Sequence, residues 1–119
     1  MARVADIVFD CRHPAGLARF WAAALDGYEI APYGPDDGDP ETDPHVLLEG
    51  PGPRVWCQVV PEGKTAKNRC HLDLECDDLD AEIARLQSLG ATLLLHQPSS
   101  PTLVALADPS GNEFCVYVR

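Results

Sequence analysis

Residues 69–95 read R-C-H-L-D-L-E-C-D-D-L-D-A-E-I-A-R-L-Q-S-L-G-A-T-L-L-L, and this stretch decides the fold. From Cys70 to Cys76 the residues alternate, with His71, Asp73 and Glu75 on one side and Cys70, Leu72, Leu74 and Cys76 on the other. A period of two predicts a strand with one face on a core. Asp78 then offers a helix N-cap, Asp80 and Glu82 place negative charge in the first turn, and Gly90 can close the helix in the left-handed conformation. Leu79, Ile83, Leu86 and Leu89 trace one apolar stripe, which predicts a helix near 78–89. A new strand starts at once from Ala91. The unit is strand, helix, strand, and the row His71, Asp73, Glu75 lies on the face the helix leaves uncovered.

The same pattern occurs once before. Val4 to Cys11 alternates, with Val4, Asp6, Val8 and Asp10 on one face and Ala5, Ile7, Phe9 and Cys11 on the other. Pro14 suits a first helical turn, and Leu17, Phe20, Trp21, Ala24 and Leu25 follow at helical spacing before Gly27, so a helix is predicted near 14–26. Tyr28 to Ala31 reads as a short strand. Asp6 to Cys11 lies over His71 to Cys76, and Leu25 with Gly27 lies over Leu89 with Gly90. Such an internal repeat sets the architecture. Each half then adds two strands: His45–Glu49 and Arg54–Val60 around the turn 50–53, and Thr102–Ala107 and Glu113–Val118 around Asp108-Pro-Ser-Gly-Asn112.

The fold class expected is therefore α+β: two βαβββ modules forming curved mixed sheets around a cavity. One domain is expected over 1–119, with module one at 1–61, a polar linker at 62–68 and module two at 69–119. In the last strand of each half, Val55, Cys57, Val59 and Phe114, Val116, Val118 should meet the helices. That turns Trp56, Gln58, Glu113, Cys115 and Tyr117 toward the same side as Asp6, Asp10, His71, Asp73 and Glu75. Carboxylates, one imidazole and aromatics in one row describe a ligand cavity; a polar sheet face touching solvent or a dimer partner is the competing reading.

Composition narrows the partners. Nineteen acids against nine bases give a net charge of −10, which repels nucleic acid and acidic membrane surfaces and favours a cationic ligand. No run approaches the ~20 apolar residues of a membrane span, and no basic-then-apolar leader opens the chain, so a cytoplasmic location is expected. Five cysteines without a C-x-x-C pair speak against a disulfide framework or a structural zinc site. Cys11, Cys57, Cys70 and Cys76 are read as small buried hydrophobes. The loop 32–44 carries Asp36, Asp37, Asp39, Glu41 and Asp43, but it lacks the Gly at the sixth place and the Glu at the twelfth that a calcium loop needs. It is read as solvated.

The paired βαβββ pattern, H-L-D-L-E-C-D-D-L-D-A-E at 71–82 and D-P-S-G-N at 108–112 together resemble the vicinal oxygen chelate superfamily of glyoxalases, bleomycin-resistance proteins and dioxygenases. Within it, the chain resembles glyoxalase-like proteins of unassigned reaction. The resemblance implies a small organic molecule bound in the cavity between modules, and a homodimer. In metal-dependent members, first and last strands of each half hold a divalent cation (Zn, Ni, Mn, Fe or Mg), which implies His71, Asp6 and Gln58 as ligands here. The remaining position, three residues after Asn112, is Cys115 where metal-using relatives carry Glu; Glu113 stands two residues earlier on the same face. The enzymatic version is a lyase, isomerase or dioxygenase that stabilises an oxyanion or enediolate by Lewis acidity. The alternative is a metal-free protein that sequesters a drug or metabolite, in the manner of bleomycin resistance.

Overall fold

The computed structural model of the chain describes residues 1–96 and 102–118. It divides into two compact units, Met1–Gly63 and Lys64–Arg119.

In the first unit, β1 (Asp6–Cys11) leads into α1 (Pro14–Ala24), then β2 (Glu29–Ile30), β3 (His45–Glu49) and β4 (Arg54–Val59). The sheet order is β1-β4-β3-β2, with β1 and β4 parallel and the other pairs antiparallel. Alternation decides which face packs. Val55 and Cys57 of β4 and Val46 and Leu48 of β3 are buried under Leu17, Phe20 and Trp21 of α1. Phe9 stacks on Trp21 with ring centroids 4.9 Å apart, and Phe20 meets Trp21 edge-on at 5.1 Å. Burying each large side chain stabilises the unit by about 1.5–3 kcal/mol. The other face stays uncovered, and Val8 is 51% exposed.

Pro14 starts α1 where its missing N–H costs nothing. The helix ends at Ala24, earlier than its apolar spacing predicts, because Leu25 already has extended backbone (φ −92°, ψ 131°). Tyr28 then lies across the turn before β4. A Cβ on Gly50 would fall 2.5 Å from its ring, and its hydroxyl donates to Pro53 O at 2.8 Å. Only glycine admits that approach.

The second unit repeats the plan as β5 (Asp73–Cys76), α2 (Leu79–Leu89), β6 (Thr92–His96), β7 (Leu103–Ala107) and β8 (Glu113–Val118), ordered β5-β8-β7-β6 with β5 and β8 parallel. The expected fold class, α+β with two βαβββ modules and mixed sheets, is the one found. Leu79, Ile83 and Leu86 bury against the sheet side that carries Val104, Leu106, Phe114 and Val116. Asp78 caps α2 by accepting Ala81 N–H at 3.1 Å, and Gly90 closes it at φ +118°.

Two expectations change here. The strand predicted from Cys70 begins only at Asp73, which pairs with Cys115 of β8. Cys115 N–H still reaches Leu72 O at 2.9 Å, and on the β8 side Glu113 O is taken by Asn68 Nδ2–H at 3.3 Å. Cys70 is consequently exposed and Cys76 half-buried, whereas Cys11 and Cys57 are buried as expected. Val59, expected to meet the helix, is 43% exposed at the end of β4.

Candidate functional site

The uncovered face of the second unit gathers the donors. Parallel register sets Asp73 beside Cys115 and Glu75 beside Tyr117. His71, two residues before Asp73 in extended chain, falls on the same side and brings its Nε2 to 3.3 Å from Asp73 Oδ1. One ligand atom from each of His71, Asp73 and Cys115 lies within 4.8 Å of the other two. Among the described residues this is the one such group of metal-ligating side chains. His71 and Asp73 are exposed and Cys115 is half-buried, so the group opens to solvent on one side and rests on the sheet on the other.

The donor set fits a divalent cation. Two ligands of a tetrahedral zinc at ~2.0–2.1 Å sit about 3.3–3.4 Å apart, which is the His71–Asp73 separation. Imidazole, carboxylate and thiolate together favour zinc over the harder Mg or Mn. The same distance suits an imidazole–carboxylate pair with no metal. Cys115 bears on that choice, because burial first and then the Asp73 charge push its thiol pKa up, against a weaker pull from Lys67. A protonated thiol is a poor ligand until a cation displaces its proton.

Glu113 shares the row but is committed elsewhere. Its carboxylate pairs with Lys64 at 2.5 Å and accepts Asn68 N–H at 2.7 Å, and those two contacts, Lys64 foremost, hold its pKa below the ordinary value. It ties the segment 64–68 to the start of β8. The turn before β8 is fixed by Asp108, which is 3% exposed and accepts N–H groups from Ser110 (2.9 Å) and Asn112 (3.0 Å). A cavity of about 640 Å³ beside that turn is lined by Lys64, Thr92, Leu94, Pro109 and Glu113, and by none of the three clustered donors.

The first unit distributes its candidates differently. Asp6 accepts Trp56 Nε1–H at 3.2 Å and pairs with Arg54 Nε at 2.7 Å, so its oxygens are held by neighbours on β4. Asp10 stands in register with half-buried Gln58. Val8 pairs with Trp56 as Asp73 pairs with Cys115, so in the repeat Trp56 occupies the place of Cys115 and Gln58 that of Tyr117. Sequence reasoning also passed over a second feature. Most of the loop 32–44 is exposed, but Tyr33 and Asp43 are half-buried and line a cavity of about 410 Å³ with Leu47 and Trp56. The available signal was Tyr33, the one aromatic residue in an acidic loop.

Two βαβββ units, each joining its first and last strands in parallel, define the class of the vicinal oxygen chelate fold. The profile of the glyoxalase-like domain matches residues 6–117, and the chain belongs to that family. Among proteins with curated descriptions, none matches the sequence. Solved structures of the same fold include the fosfomycin resistance protein FosX from Mesorhizobium loti, with a TM-score of 0.73 and 15% identity over 98% of this chain and 91% of that one. A glyoxalase/bleomycin resistance protein/dioxygenase family enzyme from Burkholderia phytofirmans gives 0.73 and 13%, over 98% of each chain. A mutant FosX from Listeria monocytogenes, complexed with Mn(II) and 1S,2S-dihydroxypropylphosphonic acid, gives 0.71 and 10%, over 98% and 90%. At these identities the likeness establishes the fold. Among the described residues, no helix is long and apolar enough to cross a membrane.

Proposed function

We propose that this chain is a small-molecule-binding glyoxalase-like protein that presents a divalent cation, zinc by its donor set, on the sheet face of its second unit. The observation that carries the reading is the convergence of His71, Asp73 and Cys115 within 4.8 Å. The Mn(II) complex of a FosX with the same fold supports it. Three protein ligands leave a coordination position for a ligand oxygen, the pattern of catalytic rather than structural zinc. When bound, the cation supplies Lewis-acid charge to an oxygen that gains negative charge during reaction, which places the chemistry among lyases, isomerases and dioxygenases. Around it, Asp73 orients the His71 ring through Nε2 until a cation replaces that contact. Glu75, two residues along the same strand, supplies a further carboxylate to accept a proton. Lys64 and Asn68 keep Glu113 out of the donor set. In the same unit Tyr117 stands in register with Glu75 beside the cluster, and the net charge of −10 biases an organic ligand there toward cations. We place the protein in solution as a homodimer.

A metal-free sequestering protein is the second reading, and the raised pKa of the Cys115 thiol is what favours it. Metal analysis separates the two. Protein purified without chelator should carry one zinc per chain, and His71→Ala or Cys115→Ala should lose it, while Gln58→Ala keeps it. Metal-free wild type that takes up no zinc on dialysis leaves the sequestering reading in its place.

A further inference from the structure

We propose that the first unit carries a binding site for a small organic cation, an amine or quaternary ammonium compound, in the cavity between Trp56 and the acidic loop 32–44. Every residue of it belongs to the first unit and none to the His71 cluster, and it gives the acidic bias of the chain a location.

The cavity is about 410 Å³, the scale of small-ligand pockets. Trp56, Tyr33 and Leu47 supply its apolar and aromatic surface, and Asp37, Asp43 and His45 its polar groups; no Lys or Arg lines it. Each part is fixed in place. The Trp56 N–H is spent on Asp6, which Arg54 holds in turn, so the indole offers its carbon surface to the cavity. Tyr33 donates its hydroxyl to Asp43 Oδ2 at 2.7 Å, while Asp43 Oδ1 accepts His45 N–H at 2.9 Å. Asp37 accepts Gly34 N–H at 2.6 Å and is set at the same wall.

The charges exclude other occupants. The His45 N–H and then the Tyr33 hydroxyl hold the Asp43 carboxyl below its usual pKa, so it stays ionised at neutral pH. Burial, and after it Asp43, push the Tyr33 phenol up to about 12, so it remains a neutral donor. An anion meets two carboxylates with no Lys or Arg and one imidazole, His45, to offset them, and a neutral molecule would desolvate the carboxylates without compensation. A bare metal ion would find no third ligand from His, Cys, Asp or Glu here. An organic cation satisfies both surfaces, with its charge toward the carboxylates and its alkyl groups on the aromatic rings.

Choline and its neutral isostere 3,3-dimethylbutan-1-ol are the probes, titrated into the full chain at constant ionic strength by calorimetry and by tryptophan fluorescence. Trp21 is fully buried on Phe9, so a ligand-dependent change in emission reports Trp56. Choline should bind saturably and the alcohol at least about tenfold more weakly. Asp43→Asn, and Asp37→Asn as a second variant with the Tyr33–Asp43 pair intact, should each weaken choline several-fold, and Trp56→Leu should abolish the calorimetric signal. Stripping metal with a chelator should change none of this. Equal binding of the alcohol, no saturation by choline, or choline binding that survives all three substitutions overturns the proposal. Choline binding that is lost with the metal instead assigns the cation to the second unit and also overturns it, leaving the metal reading intact.

Discussion

Replacing Asp108 with Ala removes one side chain and three hydrogen bonds, and the cost follows from where they lie. Asp108 is 3% exposed; Oδ1 accepts the N–H groups of Ser110 and Asn112, and Oδ2 accepts Asn112 Nδ2–H at 3.2 Å. The backbone bonds of the turn, Asp108 N–H to Asn112 O and Gly111 N–H to Asp108 O, both 2.9 Å, survive the substitution. Ser110 is half-buried, so water replaces its lost acceptor at small cost, whereas Asn112 is 8% exposed and its two donors lose theirs inside the protein. At roughly 1–3 kcal/mol for each buried donor that loses this acceptor, the total is about 3 kcal/mol. Urea unfolding followed by far-ultraviolet circular dichroism should show a midpoint lower by about 1.5 M, for a slope near ~2 kcal/mol per molar. Asp108→Asn keeps the Oδ1 acceptor and should lose less than half as much. A loss below ~0.5 kcal/mol for Asp108→Ala, or equal losses for the two variants, would refute the assignment of the turn's stability to this carboxylate.

Other outcomes follow from single contacts. Gly90→Ala must hold φ +118° and bring a Cβ to 3.3 Å from Pro109 Cγ, so it should destabilise the second unit by about 1–2 kcal/mol in the same assay. Arg54→Ala removes an ion pair whose arginine is 53% exposed and should cost less than ~1 kcal/mol, although Asp6 and Trp56 lose a neighbour. Glu113 has a folded pKa below its ordinary 4.5, so its pairing stabilises the fold fully above that value and the contribution vanishes as pH falls through the lowered folded value. Thermal unfolding between pH 6 and pH 3 should therefore show a steeper acid loss for wild type than for Glu113→Gln; parallel curves would contradict the Lys64 and Asn68 contacts.

Faces were legible in the sequence and partners were not. Alternation placed Val55 and Cys57, and Phe114 and Val116, under the helices, because period two fixes a side chain's face without knowledge of its neighbours. It could not show where pairing stops, so the strand expected from Cys70 lost its first residues and begins at Asp73. The same gap explains the site. His71 and Cys115 were singled out from the repeat and the turn, and Asp73 was placed on their side by phase. That Asp73 stands directly opposite Cys115 depends on the β5–β8 register. Register also gave Asp6 to Arg54 and Trp56, and a contact between residues 64–68 and β8 took Glu113 away. The cavity under the loop joins Tyr33 to Trp56 through tertiary packing, which no local pattern announces.

Cobalt substitution tests the central claim most directly, since it reads the identity of the ligands rather than the fact of binding. Chelator-stripped protein titrated with Co(II) should develop a near-ultraviolet thiolate-to-cobalt charge-transfer band that saturates at one equivalent, with visible bands of four-coordinate cobalt. Zinc should abolish both. Cys115→Ser should remove the charge-transfer band and His71→Ala should weaken binding at least about tenfold, as loss of one of three ligands requires. A charge-transfer band that persists in Cys115→Ser, or cobalt that binds wild type without any thiolate signature, would contradict a cation held by His71, Asp73 and Cys115.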